Sequence, residues 1–479
     1  MTTRMDFGFT FGLAKAGVSP QVRRDEPLRL LVLADFSAHG LRGLPHPKPL
    51  AQRVPVRVDI DNFDAVLRRM APALTLELAA PIAARLALSF STMDDFHPDQ
   101  LLPHLPHPLP QPLPATQATA ALPEAAPLTE DHAATLERLL GRKPTAASGA
   151  AGASLGGLDQ LIQSIVAPSL VPVQPAGQAQ AQASSQAALG EVLRSVLHHP
   201  AFQSLEATWR GVQGLVRSLD LGEDLQVHLL DVSQAELQAD VEAAHGLMSA
   251  TELARCLLRQ GDADERSASW PVMVGLYAFG PSAADLRLLT SMAGVAQQVA
   301  GSFIAAAQPA VLGRTSFAAA GDDAEWPGMA EDEQARWAAF RRSPEAALVH
   351  LVAPRLLLRL PYGKATDPIE RQPFEEMPAV FDHDACLWGS GVLACAQLMG
   401  QAFMAHGWGM RLGERLDVED LPSYVVVRHG EKHLLACAEA NLSERAGDRL
   451  LALGLMPLLS YKHRNAARLM SFQSMASLA

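Results

Sequence analysis

Prolines at positions 103, 106, 108, 110, 112 and 114 set the first constraint on how this chain can fold. Proline has no backbone N–H and a fixed φ, so at this density the backbone can continue neither a helix nor a central strand and favours an extended spacer. The chain is thereby expected to divide into a unit over 1–100, a Pro/Ala/Gln-rich linker over 101–186 and a larger unit over 187–479. Its 479 residues exceed one ordinary core, and a length prior of two to four structural units agrees with that division. Hydrophobic residues at 48% and charged residues at 19% place most of the chain with globular rather than disordered or fibrous proteins. Two helical patterns, over 129–141 and 155–166, interrupt the linker, which resumes in the Gln/Ala/Ser tract of 172–186.

In the first unit, Pro27–Phe36 (PLRLLVLADF) is a short apolar run opening into a Gly/Pro-rich loop, the pattern of a buried strand. Val54–Asp61 (VPVRVDID) alternates apolar and charged residues, as a half-exposed strand does. Phe63, Val66, Leu67 and Met70, three and four residues apart, mark one face of a helix with Asn62 as its N-cap. Leu74–Leu78 and Leu86–Phe90 read as two further strands. The second unit opens with a helix carrying Leu189, Val192, Leu193 and Val196 that stops at His198-His199-Pro200. Another follows with Phe202, Leu205, Trp209, Val212 and Val216 on its apolar face. Strands at Leu225–Val232, Val272–Tyr277, Arg355–Leu360 and Tyr424–Arg428 alternate with helices at Ser282–Ala300 and Val392–Met404. Such alternation predicts an α/β fold of mixed layers, a small unit joined by the linker to a larger α/β domain.

The net charge of −12 belongs to the C-terminal part: residues 1–100 carry 12 basic and 11 acidic side chains, 101–190 carry 3 and 5, and 191–479 carry 24 and 35. No block of Lys and Arg interleaved with aromatics supplies the phosphate-neutralising footprint of nucleic-acid binding, so nucleic acid is not an expected partner. Cys256, Cys386, Cys395 and Cys437 are widely spaced and form no Cys-x-x-Cys pair. That fits buried thiols in a reducing compartment better than disulfides or a zinc site. The opening MTTRMDFGFTFG has no continuous apolar h-region, and no uncharged apolar stretch reaches the ~20 residues that span a bilayer. A cytoplasmic protein without membrane insertion is the expectation.

Motifs that could carry chemistry read better as structure. Leu360–Pro368 (LPYGKATDP) holds Gly363-Lys364 with Thr366 two residues on, but no Gly stands five residues before Gly363, and Pro368 interrupts any following helix. It reads as a strand end and turn rather than a phosphate loop. His198 and His199 are adjacent and share no helical face, and Glu206 has no ligand spacing to them; a helix terminus whose imidazoles meet free carbonyls is expected. His104 and His107 fall in the Pro-rich stretch. Asp59, Asp61 and Asp64, and later Asp94, Asp95 and Asp99, read as a solvated edge, helix N-terminal charges and caps rather than catalytic carboxylates. No G-x-S-x-G elbow occurs. Trp209 and Trp388 are expected in the core, and no catalytic residue, cofactor or metal is expected.

Leu155–Val166 (LGGLDQLIQSIV) is different. Leu158, Leu161, Ile162 and Ile165, at i, i+3, i+4 and i+7, form a narrow apolar stripe on a helix with linker on both sides. About 12 residues is marginal for a lone helix in water. It is expected to gain order by docking, in a partner's groove or back on its own domain.

Three segments in order, PLRLLVLADFS, VPVRVDIDNFDAVLRRMAP and LSFSTMDDFHPD, together resemble the small sheath subunit of type VI secretion, TssB or VipA, over Pro27 to Asp99. The remainder from Ala187 resembles the large sheath subunit, TssC or VipB. The segments that carry this are Leu197–Val216, Val274–Leu289, Ser302–Gly313, PRLLLRLPYGKATDPIE (Pro354–Glu370), Leu387–Phe403 and Leu442–Ser474. Leu155–Val166 is similar to the N-terminal helix of that large subunit, which in the family is read by the disassembly ATPase ClpV. The resemblance therefore implies Leu155, Leu158, Asp159, Leu161, Ile162 and Ile165 as partner-binding positions.

Two departures accompany the resemblance. The Pro-rich stretch stands where the small subunit has its C-terminal helices, and the large-subunit motifs end at Ser474, where the family continues, so a C-terminally shortened fusion is expected. The family role this implies is structural and not enzymatic: a tubular contractile sheath that propels an inner tube. Implied partners are other sheath subunits, an Hcp-like inner-tube protein, a ClpV-like ATPase and the baseplate, within a homo- or hetero-oligomer. An accessory or regulatory sheath-binding protein that cannot polymerise alone, and a hydrolase or nucleotide-using enzyme in the α/β part, stand as alternatives.

Overall fold

The structure is a computed structural model that describes residues 26–79, 82, 84–106, 176–245, 250–258, 269–319, 326–377, 381–428 and 431–477. The apolar run at the start becomes strand β1 (Leu28–Ala34), and it is followed by β2 (Val56–Val58), helix α1 (Phe63–Met70), the hairpin β3 (Ala73–Glu77) and β4 (Arg85–Ser89), and a one-turn helix α2 (Pro98–Leu101). Then come α3 (Ala176–Leu197), α4 (Pro200–Ser218), β5 (Leu225–Asp231), α5 (Gln234–Ala243), α6 (Glu252–Leu258), β6 (Val272–Phe279), α7 (Ala283–Gln298), β7 (Ser302–Ala307), α8 (Glu331–Arg341) and β8 (Val349–Ala353). The chain ends with β9 (Leu356–Leu357), β10 (Trp388–Gly389), α9 (Val392–His406), β11 (Asp417–Val418), the hairpin β12 (Val425–Arg428) and β13 (Glu431–Leu434), α10 (Glu444–Ala452), β14 (Leu455–Ser460) and β15 (Ala467–Leu469).

Nine strands make one sheet in the order β11-β15-β14-β8-β7-β6-β1-β5-β2. The six from β14 to β5 are parallel, with β2 antiparallel at one edge and β15 and β11 antiparallel at the other. β1 lies inside this sheet although it comes from the first hundred residues. Leu28–Ala34 run in register with Leu225–Asp231 on one side, and Leu30–Leu33 with Val272–Gly275 on the other. A continuous apolar run suits that place because a parallel strand is covered on both faces. Leu28, Leu30 and Val32 enter one core, with α3, α4 and α9; Leu31 and Leu33 enter the other, with α5, α6, α7, α8 and α10.

The winding also fixes where a crevice must lie. From β1 the chain reaches β5 through helices on the first face, then returns past β1 to β6, β7 and β8 through helices on the second. Such a reversal opens a crevice beyond the carboxyl ends of β1 and β6, where sheets of this kind bind ligands.

Several expected elements changed length for identifiable reasons. The strand expected over Val54–Asp61 is cut to Val56–Val58 because Asp59 Oδ1 accepts the N–H groups of Asp61 and Asn62 and turns the chain. Asn62 does stand at the N-cap position of α1, yet its side chain makes no cap; Oδ1 accepts the Asp59 N–H instead, at 3.1 Å. The strand expected at Arg355–Leu360 shortens to two residues, since Arg359 is drawn into an ion cluster. The Gln/Ala/Ser tract is helical from Ala176 onward: Ala and Gln are good helix formers, and no proline follows Pro175 until Pro200. Leu101, Leu102 and Leu105 are buried, so the first part stays on the body past position 100. Residues 1–106 with 189–479 form one compact unit, and 107–188 form a second whose described residues are the exposed beginning of α3.

Candidate functional site

The two parts that sequence reading separates meet along α4. Its apolar face, predicted from Phe202, Leu205, Trp209 and Val212, receives aromatic rings from the N-terminal part. Phe90 and Phe96 stack at 4.1 Å and both meet Phe202, and the Trp209 ring lies against Phe36 and Phe63. The Trp209 indole N–H donates to the Phe36 carbonyl at 3.0 Å, which satisfies its polar group in the core.

A polar latch lies beside this seam. Both Asp99 carboxylate oxygens accept backbone N–H groups, from Glu370 and from Arg371, each at 3.0 Å. The His97 ring meets Tyr362 edge-on at 5.0 Å. The His-Pro-Asp segment thus holds the far end of the LPYGKATDPIE loop across more than half of the chain's length. Asp99, expected as a helix N-terminal charge or cap, serves a distant loop as well.

Under that loop is a buried ion cluster. Glu206 and Glu376 have fully buried side chains, and Arg359 lies between them, 2.8 Å from Glu206 and 2.7 Å from Glu376. Arg210 also reaches Glu206 at 2.6 Å and donates to the Tyr362 hydroxyl at 2.9 Å. The Tyr362 N–H donates to Glu376 at 2.7 Å, and the Arg359 guanidinium sits 4.3 Å from the Tyr362 ring centre. Burial pushes the Glu376 carboxyl up, but Arg359, His198 and the Tyr362 N–H outweigh it and hold it at about 2. Burial would lower the Arg359 guanidinium, and the two glutamates override it, raising it well above its ordinary value. Each charge is paired and hydrogen-bonded, as burial at this depth demands.

The crevice at the reversal between β1 and β6 is filled by the chain itself. The loop after β1 folds back over it: the Leu41 N–H donates to Asp35 Oδ2 at 2.9 Å, the Ser37 N–H to Asp231 Oδ1 at 3.1 Å, and His46 Nε2 lies 3.3 Å from Asp231. Gly40 packs so closely that a Cβ there would stand 2.6 Å from Ser233 Cβ and 2.9 Å from Asp35 Oδ2. Burial, with Asp231 nearby, raises the Asp35 carboxyl. Asp231 is itself pushed up by burial, yet hydrogen bonds from His46 and Ser37 bring it lower than usual. A cleft of about 390 Å³ remains beside this loop, and another of about 680 Å³ opens at the carboxyl ends of β6 and β7, where Tyr277, Ala278, Ala306 and Ala307 line it. Among the described residues, no group of three or more His, Cys, Asp or Glu side chains is arranged to hold a metal ion.

The other residues singled out in the sequence fall as follows. Gly363-Lys364 lies in a turn in which the Gly363 N–H donates to the Asp367 carbonyl and the Lys364 N–H to Glu375, with no phosphate cradle. His199 caps α4 by accepting the Ala201 N–H at Nδ1, whereas a carbonyl contact was expected; Pro200 at the first helical position makes that end a start rather than a stop. His198 points to Glu376 at 3.6 Å. All four cysteines are buried, none in a disulfide, and burial pushes the Cys386 thiol to about 12. Trp209 and Trp388 are both core residues. Leu155, Leu158, Asp159, Leu161, Ile162 and Ile165 lie outside the described residues. The ion cluster escaped sequence reading because its members are scattered; the available signal was Glu206, a lone charge on the apolar face of α4.

Comparison with known proteins gives two family matches in one chain. Residues 181–476 match the VipB model, described as EvpB/VC_A0108, tail sheath N-terminal domain. Residues 16–148 match the model described as type VI secretion system, VipA, VC_A0107 or Hcp2. Among curated proteins, the type VI secretion system sheath protein TssC1 of Pseudomonas aeruginosa is 29% identical over 289 residues, covering 58% of this chain and 57% of that protein. The chain thus spans little more than half the length of that relative.

Proposed function

Because the chain belongs to the type VI secretion sheath family, with a VipA-like and a VipB-like part in one polypeptide, we propose that it is a structural component of the contractile sheath, not an enzyme. The observation that carries this reading is the place of β1: the VipA-like part supplies an interior strand of the VipB-like sheet. Making both parts in one chain fixes their ratio at one to one and raises their effective concentration. At the reversal between β1 and β6 the loop after β1 occupies the crevice. Contraction would draw on contacts that differ between extended and contracted assemblies, with no bond broken in this chain.

The proposed partners are other sheath subunits, an Hcp-like inner-tube protein, the baseplate and a ClpV-like disassembly ATPase, in the cytoplasm. Among the described residues no helix is long and apolar enough to cross a membrane. We propose the ATPase contact at Leu155, Leu158, Asp159, Leu161, Ile162 and Ile165; Leu161→Asp with Ile165→Asp should abolish pull-down by the ATPase. Negative-stain imaging and sedimentation, of the chain alone and mixed with separate small and large sheath subunits, test the reading. Ordered tubes, alone or mixed, support it. Co-sedimentation with preformed sheath without self-assembly assigns the accessory role instead, and a monodisperse chain under every condition refutes both.

A further inference from the structure

Beyond the seam, four carboxylates rim a cleft of about 590 Å³ at the amino ends of β1 and β5: Glu26, Asp220, Glu223 and Asp224. Its floor is apolar, made of Phe403 and Met404 at the end of α9 and of Trp408 just beyond. Met404 is 47% exposed, unusual for a large apolar side chain in this protein, and the Phe403 and Trp408 rings meet edge to face at 5.4 Å. Arg57 reaches the rim and donates to the Gly222 carbonyl at 2.6 Å. Ser269 donates to the Glu26 carboxylate at 2.7 Å. The rim keeps an excess of negative charge around an exposed apolar floor, which fits a basic segment carrying large apolar side chains.

The chain has such a segment in the right place. Residues 1–25 precede the described part and enter it at Glu26, whose carbonyl accepts the Trp408 indole N–H at 2.7 Å. The segment's point of attachment is therefore hydrogen-bonded to the cleft floor. It carries Arg4, Lys15, Arg23 and Arg24 against Asp6 and Asp25, and Phe7, Phe9 and Phe11 at every second position. At about 3.3 Å per residue the stretch from Phe11 to Glu26 has ample reach to fold back over the cleft, and the tether gives it an effective concentration in the millimolar range.

We propose that residues 1–25 of this chain occupy the cleft in cis, the phenylalanines covering Met404 and Trp408 and the basic side chains facing the acidic rim. This inference stands independently of the sheath reading. It is tested by hydrogen peroxide oxidation of Met404 in the full chain, followed by peptide mass mapping, with Met70 on α1 as internal reference. Deleting residues 1–25, or the triple substitution Phe7→Ser, Phe9→Ser and Phe11→Ser, which leaves every described residue intact, should speed Met404 oxidation about fivefold or more while Met70 keeps its rate. Glu223→Lys with Asp224→Lys should do the same, and raised salt should mimic it in the unaltered chain. An equal Met404 rate in all forms overturns the proposal. Protection that grows with protein concentration overturns it too, by assigning the cleft to a second copy.

Discussion

Replacing Arg359 by Met removes the guanidinium shared by two buried carboxylates and leaves Glu376, among the described residues, with His198 and the Tyr362 N–H. Glu206 keeps Arg210, so Glu376 bears most of the loss. Its carboxyl is held at about 2 against an ordinary 4.5, which corresponds to about 3 kcal/mol of stability. Breaking a buried pair by removing one partner costs about 3–5 kcal/mol in general, so the two figures agree. The sign with pH follows: a depressed carboxyl contributes stability that is full above 4.5 and is lost as pH falls toward 2. Urea unfolding of Arg359→Met followed by intrinsic fluorescence should thus show a loss of about 3–5 kcal/mol at pH 7, shrinking below about pH 4 as Glu376 protonates in the variant first. Arg359→Lys keeps the charge without the planar fork and should lose about 1–3 kcal/mol. A loss under about 1 kcal/mol at pH 7, or one that does not change with pH, would refute the argument.

Asp99→Ala strands the Glu370 and Arg371 N–H groups and should cost about 1–3 kcal/mol, with amide exchange rising first at those two positions rather than in the sheet. His350 is fully buried and held at about 4 against 6.5 by burial. Because its folded value is lowered, it favours folding above pH 6.5 and its contribution disappears between 6.5 and 4. His350→Gln should flatten the stability profile across that window by up to about 3 kcal/mol, read from urea midpoints at half-unit pH steps.

Local pattern carried much of the fold. The β1 strand is legible because PLRLLVLADF is apolar on both faces, and α1 because Phe63, Val66, Leu67 and Met70 recur at helical spacing. What local pattern could not carry was partnership. Nothing in the β1 sequence states that its neighbours are Leu225–Asp231 and Val272–Gly275, roughly 200 residues away, because a buried parallel strand specifies two apolar faces and no particular edge. The same limit hid the Asp99 latch: an aspartate that caps a nearby helix and one that holds a remote loop have the same local sequence signature. Proline density marks a division along the sequence, and a division in sequence is compatible with one shared sheet on either side of it.

That shared sheet is the claim on which the rest of the account depends, and hydrogen exchange of the β1 amides tests it most directly. If β1 is an interior strand, Leu30–Leu33 should exchange at the slowest rates in the protein, together with β5 and β6, and only through global unfolding. Exchange of Leu30–Leu33 through a separate, lower-energy opening while β5 and β6 stay protected would contradict it, showing the VipA-like part to be a detachable module instead of part of the sheet.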